Sequence, residues 1–218
     1  MIVTKQKPMA EILKYLKGHE GVFLVGCGAC AEASCTGGEE DCRKMTEALR
    51  KEGLNILGYA VVEETCHMLL SQRVLREHWR EVEGSEALLV LACGAGVQAI
   101  ASFSQKPVYP ALNTSFLGTV LRAGNFTEFC SMCGECLLGK TAGVCPVTQC
   151  PKGMLNGPCG GVDKGMCEIL PGRACAWVQI YERAKEWGKL ESLKILLAPK
   201  DYSVRTRPEI LVIEPRRQ

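Results

Sequence analysis

Cysteines are the residues of this chain best suited to chemistry. The 218 residues carry fourteen, at positions 27, 30, 35, 42, 66, 93, 130, 133, 136, 145, 150, 159, 167 and 175. Six of them fall within CSMCGECLLGKTAGVCPVTQCPKGMLNGPCGG, Cys130–Gly161. Cys130-x2-Cys133-x2-Cys136 sets three thiols at the spacing of bacterial ferredoxins. Cys145-Pro146 closes the phrase in the same manner, after a gap of eight residues. A second Cys-Pro follows at Cys150-Pro151, and then Cys159, Cys167 and Cys175.

Eight thiols make two four-thiolate sites. Zinc also accepts four cysteines, usually as paired CxxC knuckles. A triplet followed by wider single spacings favours two [4Fe–4S] clusters, with one cluster plus one structural zinc as the alternative. Cys130, Cys133 and Cys136 are expected to serve one centre, completed by a later cysteine. Asp163 reads as a solvated loop residue, and Lys152 and Lys164 as partial offsets to cluster charge. Leu137, Leu138, Val144, Met154, Leu155 and Ile169 are too few and too irregular to close an apolar core here. Ordering a backbone costs roughly 1–2 kcal/mol per residue, so metal ligation is the expected brace.

A further set lies upstream, in GCGACAEASC and ACGAG. Cys27-x2-Cys30-x4-Cys35 supplies three thiols, and Cys93 or its rival Cys66 the fourth. Cys42 is set apart: in helical phase with Met45 and Leu49, it reads as a small buried hydrophobe. His19, His67 and His78 lack ligand spacing to one another. The N-terminus has no export signal and the most apolar run, Ala87–Phe103, is broken by Gly94, Gly96 and Gln98, so a cytoplasmic protein without a membrane span is expected. Reducing conditions there argue against disulfides. A net charge of +2, with no basic–aromatic patches, gives no reason to expect nucleic acid.

The elements that must position these thiols follow from the apolar pattern. Helices are expected at 10–17, 39–51, 67–80 and from 97, with a capping box of Thr36 and Glu39. Strands are expected at 21–25, 55–62, 87–91 and 108–112. This alternation predicts α/β: an N-terminal Rossmann-like parallel sheet (1–124), whose sites gather at the strands' carboxyl ends. A cysteine-rich, glycine-rich iron–sulfur module follows (125–190), then a tail (191–218). The module ends in a helix at 174–187 with Trp177, Ile180, Tyr181 and Ala184 on one face. The tail carries an apolar island, Ile210–Ile213, suited to folding back or to laying a strand along a partner. No Ser/His/Asp group, P-loop or dinucleotide fingerprint appears. Several cysteine-bound centres without other catalytic groups point to electron transfer, with a flavin partner converting single electrons to pairs.

CGECLLGKTAGVCPVTQCPKGMLNGPCGG, GMCEI (165–169), CAWVQIY (175–181), GCGACAEASCTGG (26–38), LACGAGVQ (91–98) and VYPALNT (108–114) together resemble the MetV family. These are iron–sulfur small subunits, or C-terminal-domain relatives, associated with methylenetetrahydrofolate reductase. The resemblance implies a cytoplasmic, heteromeric oxidoreductase of the Wood–Ljungdahl pathway and one-carbon metabolism. In it this chain carries two or three [4Fe–4S] clusters and feeds a TIM-barrel catalytic subunit that holds the FMN and reduces methylene-tetrahydrofolate to methyl-tetrahydrofolate. Further electron-transfer subunits are compatible with it. The family's cysteine pattern transfers to Cys27, Cys30, Cys35, Cys66 and Cys93 and to the eight from Cys130 to Cys175. A zinc-stabilised scaffold for a folate or corrinoid methyl-transfer complex is the alternative.

Overall fold

The computed structural model describes residues 1–122 and 124–212. The chain divides into two compact units, Met1–Thr127 and Glu128–Gln218.

In the first unit, β2 (Val22–Cys27), β3 (Ile56–Val62), β4 (Ala87–Leu91) and β5 (Val108–Pro110) form a parallel sheet in the order β3-β2-β4-β5. β2 and β4 are central and buried along their whole length, as continuous apolar runs in parallel sheets are. α1 (Met9–Leu16), α2 (Cys30–Ala33), α3 (Glu39–Lys51), α4 (Met68–Glu77), α5 (Trp79–Gly84) and α6 (Gly94–Ala101) fill the connections. Ile12, Leu16, Met45, Leu49, Leu75 and Ile100 join the strand side chains in one core. Fully burying each such side chain contributes about 1.5–3 kcal/mol.

The mixed α/β class holds, and the structure adds a second sheet. β1 (Ile2–Gln6), β6 (Leu112–Arg122) and β7 (Asn125–Cys130) form it in the order β1-β6-β7. β1 pairs antiparallel with β6, Ile2 opposite Leu117 and Gln6 opposite Leu112. Other expectations also need correction. α3 is capped at Gly38, whose N–H donates to Asp41 Oδ2 at 3.0 Å, one half of a capping box. Thr36 is instead engaged with Thr4 Oγ1 at 2.6 Å and with Ala31 O. The helix expected at 67–80 breaks at His78 into α4 and α5. α6 begins at Gly94, so Gly94 and Gly96 form a helix turn rather than a loop.

The second unit has a one-turn helix, α7 (Pro146–Gln149), and a longer helix, α8 (Ala176–Glu186). It does hold a small apolar core: Val144, Cys175, Ala176, Trp177 and Ile180, with Met154, Val162 and Leu193 packed against it. Its main wall is the α8 face, which buries Trp177, Ile180 and Ala184, while Tyr181 points to solvent. In the tail Ile210, Leu211 and Val212 are exposed, and Ile213 lies outside the described residues. Among the described residues, no helix is long and apolar enough to cross a membrane.

Gly96 offers a direct test of how the cysteine loops of the first unit are held. A Cβ there would lie 2.8 Å from Ala92 Cβ and 3.2 Å from Thr65 Cβ, so the start of α6 can press on the loop before Cys66 only because the side chain is absent. Gly96→Val should lower unfolding free energy by about 1–3 kcal/mol, the usual cost of overpacking. Urea denaturation of the intact chain measures it, and an unchanged midpoint would mean that the contact is not needed.

Candidate functional site

Three strands of the parallel sheet end level with one another: Cys27 pairs with Val62, and Gly26 with both Val61 and Leu91. Cys27 is the last residue of β2, Cys66 lies in the loop after β3, and Cys93 is the N-cap of α6, just past β4. The Cys27 sulfur is buried, which alone would push its pKa up. Backbone N–H groups of Thr65, Ala29 and Ala31 outweigh that and hold the thiol below its ordinary value. Such a ring of N–H donors stabilises sulfur as an anion. Burial pushes the Cys66 thiol up, and the negative charge of Cys93 and Cys27 pushes it further. Cys66 is thus within electrostatic reach of both Cys93 and Cys27. Cys30 opens α2, while Cys35 is exposed with a left-handed φ of 55°.

Cys42 behaves as its helical phase implies. It is fully buried, with Sγ 3.9 Å from Gly37 O, and burial pushes its pKa up to about 12. His78 packs on Phe23, and the His67 ring accepts from Leu70 N–H as a helix cap. Both therefore have structural partners.

The second unit places its eight cysteines around two cavities. One is lined by Cys130, Cys133, Cys136 and Cys145, together with Ser131, Met132, Gly134 and Glu135. Met132 N–H donates to Cys130 Sγ at 3.3 Å. Gly134, with φ +84°, makes the tight turn between the second and third thiols. Cys145 is the N-cap of α7 with Pro146 directly after it, a rigid helix start. Burial raises the Cys133 thiol, but the Glu135 N–H and the Lys200 ammonium outweigh it and bring it below the ordinary value. The Ser131 hydroxyl oxygen is buried beside the Cys133 thiol and also lowers it.

The other cavity is lined by Cys150, Cys159, Cys167 and Cys175, with Pro151, Pro158 and Trp177. Cys175 is the N-cap of α8, and its N–H donates to Gly165 O at 2.8 Å. Cys167 N–H donates to Arg173 O at 2.9 Å, closing a narrow loop between the two. Trp177 Nε1 donates to Met154 O at 2.7 Å and so fixes the floor. At the rim, Glu168 accepts from Lys152 and, at 3.2 Å, from Cys159 Sγ; Lys152 first and Cys159 second hold its carboxyl below the usual range. Asp163 and Lys164 are exposed.

Among the described residues, no three Cys, His, Asp or Glu side chains have drawn together as a metal-binding group; the sulfurs stand around the walls. The donor sets nonetheless fit cysteine-ligated metal. Each cavity offers four thiols, the number a cubane or a structural zinc takes. The Ser131 hydroxyl, beside Cys133, is a further donor to sulfur. Glu168, Lys200 and Ser131 are the residues that cysteine spacing gave no means of finding.

Cys42 yields a prediction of opposite sign to the other cysteines. In the folded chain stripped of metal, iodoacetamide at pH 8 should leave Cys42 unmodified while alkylating the exposed Cys35, as peptide mass spectrometry would record. Above the ordinary thiol value of 9.0 the folded state retains a proton that the unfolded chain has lost. Its contribution to stability should therefore fall as pH rises from 9.0 toward about 12, and Cys42→Ala should lose that part of the alkaline sensitivity.

The family described as methylene-tetrahydrofolate reductase C terminal matches residues 109–203. That is a little under half of the chain, and it contains all eight cysteines of the two cavities. No curated protein and no solved structure matches the chain. The stretch that forms both four-cysteine cavities is therefore related in sequence to the C-terminal region of methylene-tetrahydrofolate reductases.

Proposed function

We propose that this chain is an iron–sulfur electron-transfer subunit serving a flavin-bearing methylenetetrahydrofolate reductase catalytic subunit. The observation that carries this reading is the sorting of eight cysteines into two four-thiol cavities, within the stretch matched to methylene-tetrahydrofolate reductase C termini. Cys130, Cys133, Cys136 and Cys145 would hold one cluster, and Cys150, Cys159, Cys167 and Cys175 another. Cys27, Cys66 and Cys93, with Cys30 or Cys35, form the candidate third set at the sheet edge. When bound, such clusters accept and release single electrons.

The chain's own residues prepare the sites. N–H donors at Cys27 and Cys133 favour the thiolate that ligation requires. Helix starts at Cys93, Cys145 and Cys175 fix where the sulfurs emerge. Pro151, Pro158 and Trp177 give the second cavity apolar walls. Substrate chemistry falls to the partner, in which the flavin converts single electrons into the pair needed to reduce methylene-tetrahydrofolate.

Metal analysis of anaerobically purified chain tests the reading. Two or three four-iron clusters correspond to about eight to twelve irons per chain, with matching labile sulfide. Zinc without iron would overturn the relay and favour a zinc-stabilised scaffold. Cys133→Ser and Cys159→Ser should each remove about four irons and leave the remainder, because they line separate cavities.

A further inference from the structure

The tail beyond α8 is tied to the loops that carry the cysteines. Asn156, in the loop between Cys150 and Cys159, clamps the tail backbone: its Nδ2 donates to Leu197 O at 2.9 Å and its Oδ1 accepts from Leu197 N–H at 2.7 Å. Three residues on, Lys200 turns inward. Its side chain is 2% exposed, and Nζ donates to Glu135 O at 2.7 Å and approaches Glu135 Oε2 at 3.4 Å. Nζ also lies near the Cys133 thiol. The Arg205 guanidinium then donates to Met132 O. Between them, Val204 and Arg205 press on the turn at Gly134, where a Cβ would stand 3.1 Å from each. The carbonyls of Met132 and Glu135, which bracket Cys133, are thus both held by cations from the tail.

Ordinary packing does not call for a lysine here. Burying an ammonium is costly unless it is paired, and a tail that only needed to adhere would place an apolar side chain in this position. Lys200 has one carboxylate partner, Glu135, at 3.4 Å, and the other ionisable group beside it is the Cys133 thiol. We infer that Lys200 is a charge-balancing and positioning residue for the Cys130–Cys133–Cys136–Cys145 centre, raising that centre's reduction potential above the value its four thiolates alone would give. The inference rests on the iron–sulfur reading. Reduction adds one electron and no bond changes, so the reduced centre carries one more negative charge, which a fixed, poorly solvated cation nearby stabilises. Arg205 and Asn156 act through Lys200 by holding the segment that delivers it.

The test compares anaerobically purified full-length wild type, Lys200→Met and Lys200→Arg by iron content and by potentiometric titration followed by electron paramagnetic resonance. Lys200→Met should retain its iron and lower one midpoint, making that centre's one-electron reduction about tenfold less favourable, or about 59 mV. The other midpoints should stay in place, and Lys200→Arg should remain near wild type. Unchanged midpoints in Lys200→Met, or equal shifts in both variants, would overturn the inference while leaving the iron–sulfur reading intact. Absence of iron from wild type would instead remove the reading itself, and the inference with it. Should Lys200→Met not fold, Lys200→Gln, neutral and still able to donate to Glu135 O, gives the same comparison with the same outcomes.

Discussion

Backbone amides hold the buried Cys27 thiol below its ordinary value, and the architecture of the sheet edge follows from that. A thiolate buried without donors would be strongly disfavoured. At Cys27 three N–H groups converge, from Ala29 and Ala31 after β2 and from Thr65 after β3. They can do so only because the two strands end level and their loops fold toward one another. Gly26 and Gly37 belong to the same arrangement: a Cβ on Gly26 would stand 2.6 Å from Gly37 O, and one on Gly37 would strike Leu91 O. The sheet edge is packed backbone against backbone, which brings amide dipoles close to the sulfurs.

The second unit meets the same requirement with less packing to support it. Its core is one face of α8 with a few side chains from the loops. Side-chain links carry much of the rest: Asn156 to Leu197, Thr148 Oγ1 to Phe129 O at 3.0 Å, and Arg173 to Gln149 Oε1 at 2.6 Å. These tie loop to loop where an ordinary domain would use apolar contact. Four-thiol ligation at two places would add cross-links of much greater strength, since cysteine–metal binding free energy is also folding free energy. The brace and the cofactor site are then one device.

The parallel sheet was legible because its signal is local. Ala87–Leu91 is an unbroken apolar run and forms β4 with those bounds, and Cys42, Met45 and Leu49 announce their buried stripe by spacing alone. β1 and β6 were not legible. β6 is mostly exposed and shows no clean alternation, and its partner lies more than a hundred residues away, Ile2 opposite Leu117. The cysteines could be found from spacing, but not which of them face one cavity, because that depends on turns set by Gly134, Pro146 and the Cys167–Arg173 bond. Lys200 was beyond reach for the same reason: it is an ordinary tail lysine until the fold brings it to Glu135, 65 residues earlier. The small core was missed because the helix supplies it, and the loop residues expected to fail do so only in part, Leu137 and Val144 being buried and Leu138 and Ile169 exposed.

The two cavities draw on consecutive stretches of chain, 130–145 and 150–175, with no residue of one set interposed in the other. In two-cluster ferredoxins the strands of ownership cross, so neither centre can be finished before both segments exist. Here a ribosome releases one whole donor set before it has made the last members of the next. The first set of thiols is thus complete in the chain before the second, while the tail residues that brace it, Lys200 and Arg205, come after both.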